Sequence, residues 1–159
     1  MTPLDVDNID TGDTAAANVL VDDCAQDHFI DKEFAHLLRL EGPAFTYRLC
    51  GADGIPVDIP SRKLKVRLRP KTSDKTYEIE VFELPGLSNQ YDPPDWCQYQ
   101  HHWPHLKEIP FSPLASGRVK LLIGSKNSTL STSIKDVVGG EDQPVARLTP
   151  LGWSCSGPT

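Results

Sequence analysis

The sequence predicts an all-β domain with little helix, and three observations predict it. Glycine (11) and proline (14) interrupt the 159-residue chain often. The apolar stretches between these breaks are short. Most of them alternate apolar with polar residues, the period of a strand with one buried face. The length fits one domain over residues 1–159, and a hydrophobic content of 38% supports one modest core.

Residues 4–9 and 15–21 flank Asp10-Thr11-Gly12-Asp13, which reads as a hairpin turn. Asn18-Val19-Leu20-Val21 is a buried strand that ends at the acidic pair Asp22-Asp23. A short helix follows over residues 31–40. Asp31 is its N-cap, Phe34, Ala35, Leu37 and Leu38 share a face, and Gly42-Pro43 is the stop. Leu64, Val66 and Leu68 alternate with lysine and arginine, whereas Tyr77, Ile79 and Val81 alternate with Glu78 and Glu80. The two segments form a hairpin through residues 70–75, favoured by cross-strand pairs worth about 0.2–1 kcal/mol each. Its charged side is read as a solvated face.

Residues 85–118 differ from the rest. They hold six of the fourteen prolines and five of the twelve aromatic residues. Proline at that density excludes regular strand or helix, and the aromatic content opposes disorder. The segment is expected to be a long ordered insertion packed on the body. Val119-Lys120-Leu121-Leu122-Ile123-Gly124 then forms a strongly buried strand, residues 137–141 run into a Gly139-Gly140 turn, and residues 145–153 close the domain.

A formal net charge of −6 argues against a nonspecific nucleic-acid binder, because phosphate binding needs a basic surface. No apolar run approaches the roughly 18 residues of a membrane helix, so no membrane partner is expected. Residues 1–13 carry four aspartates and no base, the opposite of a signal or transit peptide. Cys24, Cys50, Cys97 and Cys155 are widely spaced without a CxxC pair. They read as free thiols in a reducing, cytoplasmic setting, which would leave the Asn127-Ser128-Thr129 sequon idle.

Peptide hydrolysis by carboxylates needs two aspartates about 3 Å apart that share one proton, one serving as base and the other as acid. Each must sit on a loop leaving a buried strand, in an apolar-apolar-Asp-Thr/Ser-Gly-Ala/Ser context followed by two apolar residues. Asp10-Thr11-Gly12 has the literal triplet but polar flanks, and is taken as a turn. Leu20-Val21-Asp22-Asp23-Cys24-Ala25, followed by Phe29-Ile30, has the context with an altered triplet.

That second stretch, with Gln26 after it, resembles the peptidase domain of Pao (BEL/Pao) retrotransposons, a branch of the retropepsin-like aspartic proteases. Leu121-Leu122-Ile123-Gly124 resembles the strand that supports the catalytic loop in that family. Gln143-Pro144-Val145-Ala146-Arg147-Leu148-Thr149-Pro150-Leu151-Gly152-Trp153 resembles its C-terminal signature. Leu-Pro-Gly-Leu at 84–87 and Trp103-Pro104-His105-Leu106 also fit, so the resemblance spans nearly the whole chain.

The resemblance implies a single-lobe, closed retropepsin-like β-barrel with one or two short helices and the Pro/aromatic-rich insertion at 85–118. It makes Asp22 the catalytic aspartate, with Asp23, Cys24 and Ala25 supporting the loop and Leu122, Ile123 and Gly124 the core strand beneath it. It places a substrate-closing flap at Leu49, Cys50, Gly51, Ala52, Asp53 and Gly54. The implied activity is a retroelement aspartic endopeptidase that cleaves polyprotein, in the cytoplasm or within retroelement particles. One Asp22 per chain implies a homodimer, and water as nucleophile implies neither cofactor nor metal.

Three departures from the family pattern stand out. Asp23 replaces the small hydroxyl residue and, when ionised, cannot donate a hydrogen bond. Cys24 replaces glycine, and Ser125-Lys126 replaces the Arg-Asp or Arg-Asn that follows the strand glycine. They motivate an alternative, a weakly active or inactive binding or structural module that is monomeric. Cys97, His101, His102 and His105 lie close together but match no standard zinc spacing, and read as packed or solvated. His28 reads as a surface residue of the loop. No histidine has a sequence context that pairs it with Cys24 as a nucleophile.

Overall fold

The computed structural model describes residues 1–50, 53–87 and 92–159. Its first hairpin pairs β1 (Thr2–Asp7) with β2 (Thr14–Val21) in antiparallel register. The turn between them holds Asp10-Thr11-Gly12. The Asn8 side-chain oxygen accepts from the Asp10 and Thr11 N–H groups, and Gly12 takes a φ of 79° that a side chain would oppose.

β3 (Phe29–Asp31) leads into α1 (Lys32–Leu37), with Asp31 accepting from the Phe34 N–H as N-cap. The helix stops earlier than the glycine–proline pair suggested. Arg39 adopts φ 54°, its N–H reaches His36 O and the Leu40 N–H reaches Ala35 O, a Schellman closure with arginine in the glycine place. Tertiary contacts hold that residue. The Asn8 amide donates to the Leu38 and Arg39 carbonyls, and Arg39 pairs with Asp13 at 2.7 Å. Leu37, inside α1, is 70% exposed rather than on the buried face with Phe34, Ala35 and Leu38.

β4 (Ala44–Cys50), β5 (Pro56–Pro70) and β6 (Tyr77–Leu84) are antiparallel neighbours. The first half of β5 pairs with β4, forming a hairpin whose outer part is largely exposed. Its second half pairs with β6 and with β1. The expected charge pattern sets the β5–β6 register: Lys65 opposes Glu80, and Arg67 opposes Glu78 with 3.1 Å between charged atoms.

β7 (Val119–Ile123) completes the barrel. The strand order is β1-β2-β7-β3-β6-β5, and β5 returns to β1, so six strands close on themselves. Closure removes the open edges that a sheet of this size would otherwise present. Alternation sends one set of side chains inward. Leu4, Val19, Ile30, Leu64 and Leu121 are among the buried residues of the main core.

The segment 85–118 is ordered where described, and it includes a helix that its composition did not predict. α2 (Trp96–Tyr99) is one turn capped by Asp95, followed by 3-10 turns at Gln100–His102 and Pro104–Leu106. Proline tolerates such first turns because its missing N–H has no partner there anyway. Beyond β7, β8 (Lys135–Val138), β9 (Val145–Thr149) and β10 (Gly152–Ser156) form a separate three-stranded sheet. Residues 145–153 therefore contribute no barrel strand. Trp96, Leu106 and Ile109 of the insertion pack with Ala146 and Cys155 of this sheet as a second core. Leu151, in the β9–β10 turn, is fully buried in the main core and couples the two layers. Among the described residues no helix is long and apolar enough to cross a membrane.

Truncating a buried side chain removes its transfer energy and leaves a cavity. Leu121→Ala, at 0% exposure, is expected to lower unfolding free energy by about 2–5 kcal/mol in urea denaturation. Leu37→Ala on the exposed side of α1 should change it by less than about 0.5 kcal/mol.

Candidate functional site

β2 and β3 are consecutive in the chain yet are not neighbours in the barrel. β7 lies between them, parallel to β2 and antiparallel to β3. The link from β2 to β3, residues 22–28, must therefore cross the end of β7. It does so over Gly124. A Cβ there would sit 2.3 Å from Asp27 O and 2.7 Å from Ala25 O, distances only a glycine permits. The crossing is bonded throughout. The Asp22 N–H donates to Ile123 O (2.9 Å), the Ser125 N–H to Ala25 O (2.8 Å) and the Lys126 N–H to Gln26 O (2.9 Å).

Asp22 is the first residue after β2 and is half-buried. One carboxylate oxygen accepts from the Cys24 N–H at 2.9 Å, and its carbonyl accepts from the Ala25 N–H at 3.1 Å. These bonds orient the carboxylate from within its own turn. Ala25 is half-buried in the same turn, whereas Asp23 and Cys24 are exposed. Ile123 belongs to the main core, whereas Leu122 faces the other way, with Phe29, Phe82 and Leu87.

The β4–β5 hairpin covers that second apolar cluster. Tyr47 and Leu49 of β4 pack against it, together with Leu20 and Ala25. Tyr47 meets Phe29 edge-on, with ring centroids 5.0 Å apart, and Phe82 at 5.1 Å. Its hydroxyl donates to the Asp27 carboxylate, so the hairpin is tied directly to the residue 22–28 crossing. Burial, then the Asp27 carboxylate, raises the Tyr47 phenol well above its ordinary value, so it is a donor at any moderate pH. At the hairpin base Arg62 forms a two-pronged pair with Glu83 (2.8 and 2.9 Å) and donates to Leu40 O.

Of the expected flap residues, Leu49 joins this cluster, Cys50 is exposed at the end of β4, and Gly51 and Ala52 lie outside the described residues. Asp53 accepts from the Ile55 N–H at 3.0 Å, and Gly54 takes φ 75°, so residues 53–55 are turn-like where β5 begins. Of two cavities of about 600 and 510 Å³, the first is lined by Leu20, Val21 and Asp23 but not by Asp22, and the second lies elsewhere. The first runs beside Asp23 between β2 and the second sheet.

Several residues at this site escaped the sequence reading. His28 is not a surface residue: it is 1% exposed and bonded through both ring nitrogens. Asp27 is a hairpin anchor, and Lys126 pairs with Glu80 at 3.3 Å. Asn18, fully buried at a strand irregularity, grips Ala115 and Gly117 at the end of the insertion. Asp27-His28 directly before an apolar pair was the available signal, since a polar residue beside a buried strand must find partners. Of the other histidine group, His101 and His102 are exposed, whereas His105 and the neighbouring Cys97 are held. His105 donates to Pro144 O at 2.7 Å, and the Cys97 thiol donates to Phe111 O at 3.3 Å. The four cysteines are free thiols. Comparison with protein-family models, with curated proteins and with solved structures returns no match.

Gly124→Ala should force the crossing off β7, destabilising the fold by on the order of 3 kcal/mol in denaturant titration. Tyr47→Phe should cost about 1 kcal/mol, allowing for partial solvent exposure, and should speed amide exchange along β4.

Proposed function

We propose that this chain is one half of an aspartic endopeptidase of the retropepsin type, with Asp22 as its reacting acid. The observation that supports the reading is the threading of β7 between β2 and β3, which leaves Asp22 on a hydrogen-bonded turn whose Ala25 and Asp27 contact the β4–β5 hairpin. A closed six-stranded barrel and the apolar cluster shared by hairpin and turn support it further. The β4–β5 hairpin, with Ile55 and Val57 exposed toward its end, would serve as the cover over an extended peptide.

In this reading, two chains related by a twofold axis bring their Asp22 carboxylates to about 3 Å. The pair holds one proton between them, because like charges so close do not both ionise. The ionised member takes a proton from water as that water attacks the scissile carbonyl. The protonated member gives its proton to the carbonyl oxygen, and the leaving amine is protonated as the tetrahedral intermediate collapses. The substrate is polyprotein and the site is a homodimer within the cytoplasm or a retroelement particle.

A second reading keeps the architecture without the chemistry. Exposed Asp23 and Cys24 stand where the chemistry favours a hydroxyl and a glycine, and Lys126 is engaged with Glu80. A monomeric binding module would follow from that.

Asp22→Asn should lower cleavage of a peptide library on the order of 10³-fold, within the about 10²–10⁴-fold span of general acid–base catalysis. Asp10→Asn, in the β1–β2 turn, should cleave as the parent does. Sedimentation at micromolar concentration should show a dimer; a strict monomer with no pepstatin-sensitive cleavage supports the binding module instead.

A further inference from the structure

His28 closes the crossing from Asp22 to β3, and its two ring nitrogens meet different partners. The Gly124 N–H points at Nδ1 at 3.0 Å, and Nε2 lies 2.7 Å from the Asn127 side-chain oxygen. A backbone N–H can only donate, so Nδ1 must present a lone pair. The neutral ring then carries its proton on Nε2 and donates it to Asn127. The His28 carbonyl also accepts from the Phe82 N–H at 2.9 Å, so one residue joins the crossing, the end of β7 and β6.

We propose that His28 is a positioning residue for Asp22, and that its protonation releases the 22–28 crossing from Gly124. The link to catalysis rests on the reading of Asp22 given above. The geometry leaves a cation no place. A proton on Nδ1 would face the Gly124 N–H, donor against donor, in a site 1% exposed. Gly124 is itself hemmed in by the Ala25 and Asp27 carbonyls, which a Cβ there would meet at 2.7 and 2.3 Å, so the strand end has little room to shift away from the ring. The surrounding charges do not rescue the cation. Lys126, held by Glu80, opposes it, and Asp27, which favours it, is already engaged with Tyr47.

Burial, the dominant influence, holds the imidazole below its ordinary value of about 6.5. The released loop therefore binds the proton more readily than the closed one. Closed-loop stability is complete above about pH 6.5 and is lost as pH falls below it. In a dyad enzyme this sets an acid limit opposed to the dyad's own need for one shared proton.

The test uses the full chain, ¹⁵N-labelled, with imidazole and amide resonances followed by NMR from about pH 7.5 to about pH 5.5. The expected result is the Nε2–H form of His28 at the upper end. As His28 titrates, exchange protection of the Gly124, Ser125 and Lys126 amides, corrected for intrinsic rates, should fall by about tenfold or more. His28→Asn keeps an acceptor near the Nδ1 position and does not titrate, so its Gly124 protection should not depend on pH. In a peptidase assay that variant should lose the acid limb of kcat/KM, where a purely structural defect would lower the rate equally at every pH. An Nδ1–H ring at pH 7.5, or protection unchanged while His28 titrates, would overturn the proposal whether or not peptides are cleaved. Absence of cleavage at every pH, with the amides behaving as expected, would overturn only the Asp22 reading.

Discussion

The close passage of residues 22–28 over Gly124 is the constraint on which the rest of this structure depends. Because β7 lies between β2 and β3, the chain must cross its end, and the crossing leaves no room for a Cβ. Three backbone bonds and the His28 ring convert that crowding into a defined turn. Asp22 takes its orientation from this turn, so the position of a single carboxylate is determined by a strand about a hundred residues further along the chain.

Around that point the molecule is arranged in two layers of control. The β4–β5 hairpin lies over the apolar cluster and is tied to the crossing through Tyr47 and Asp27, while Arg62 and Glu83 brace its base. The second sheet and the insertion have their own core, coupled to the barrel through Leu151 and Asn18. The buried Asn18, bonded on both its donor and acceptor sides, shows how a polar residue is accommodated inside a strand that otherwise reads as apolar.

Local pattern was legible where local physics decides. The β5–β6 register followed from alternation and opposite charge, and the Asp31 cap followed from its side chain. The Asp10-Thr11-Gly12 segment proved to be the β1–β2 turn, as its polar flanks indicated. Legibility failed where a distant partner intervened. Asn8 and Asp13 end α1 early, an unforeseen Asp95 cap winds α2, and residues 145–153 pair among themselves beside the barrel instead of within it. His28 was misjudged for the same reason, since its partners Gly124 and Asn127 are almost a hundred positions away.

The sequence by itself determined that this chain is built mainly of strands, where most of them run, and that Asp22 ends a buried one. Those properties depend on side-chain period, capping and turn chemistry over a few residues. The closed barrel, expected from the family resemblance, is present; only the tertiary structure decided which strands are neighbours in it, that the tail forms its own sheet, and that His28 is sealed beside Gly124. Those outcomes depend on which strands become neighbours and which polar atoms lose water when they do, and neither is encoded in any short window of sequence.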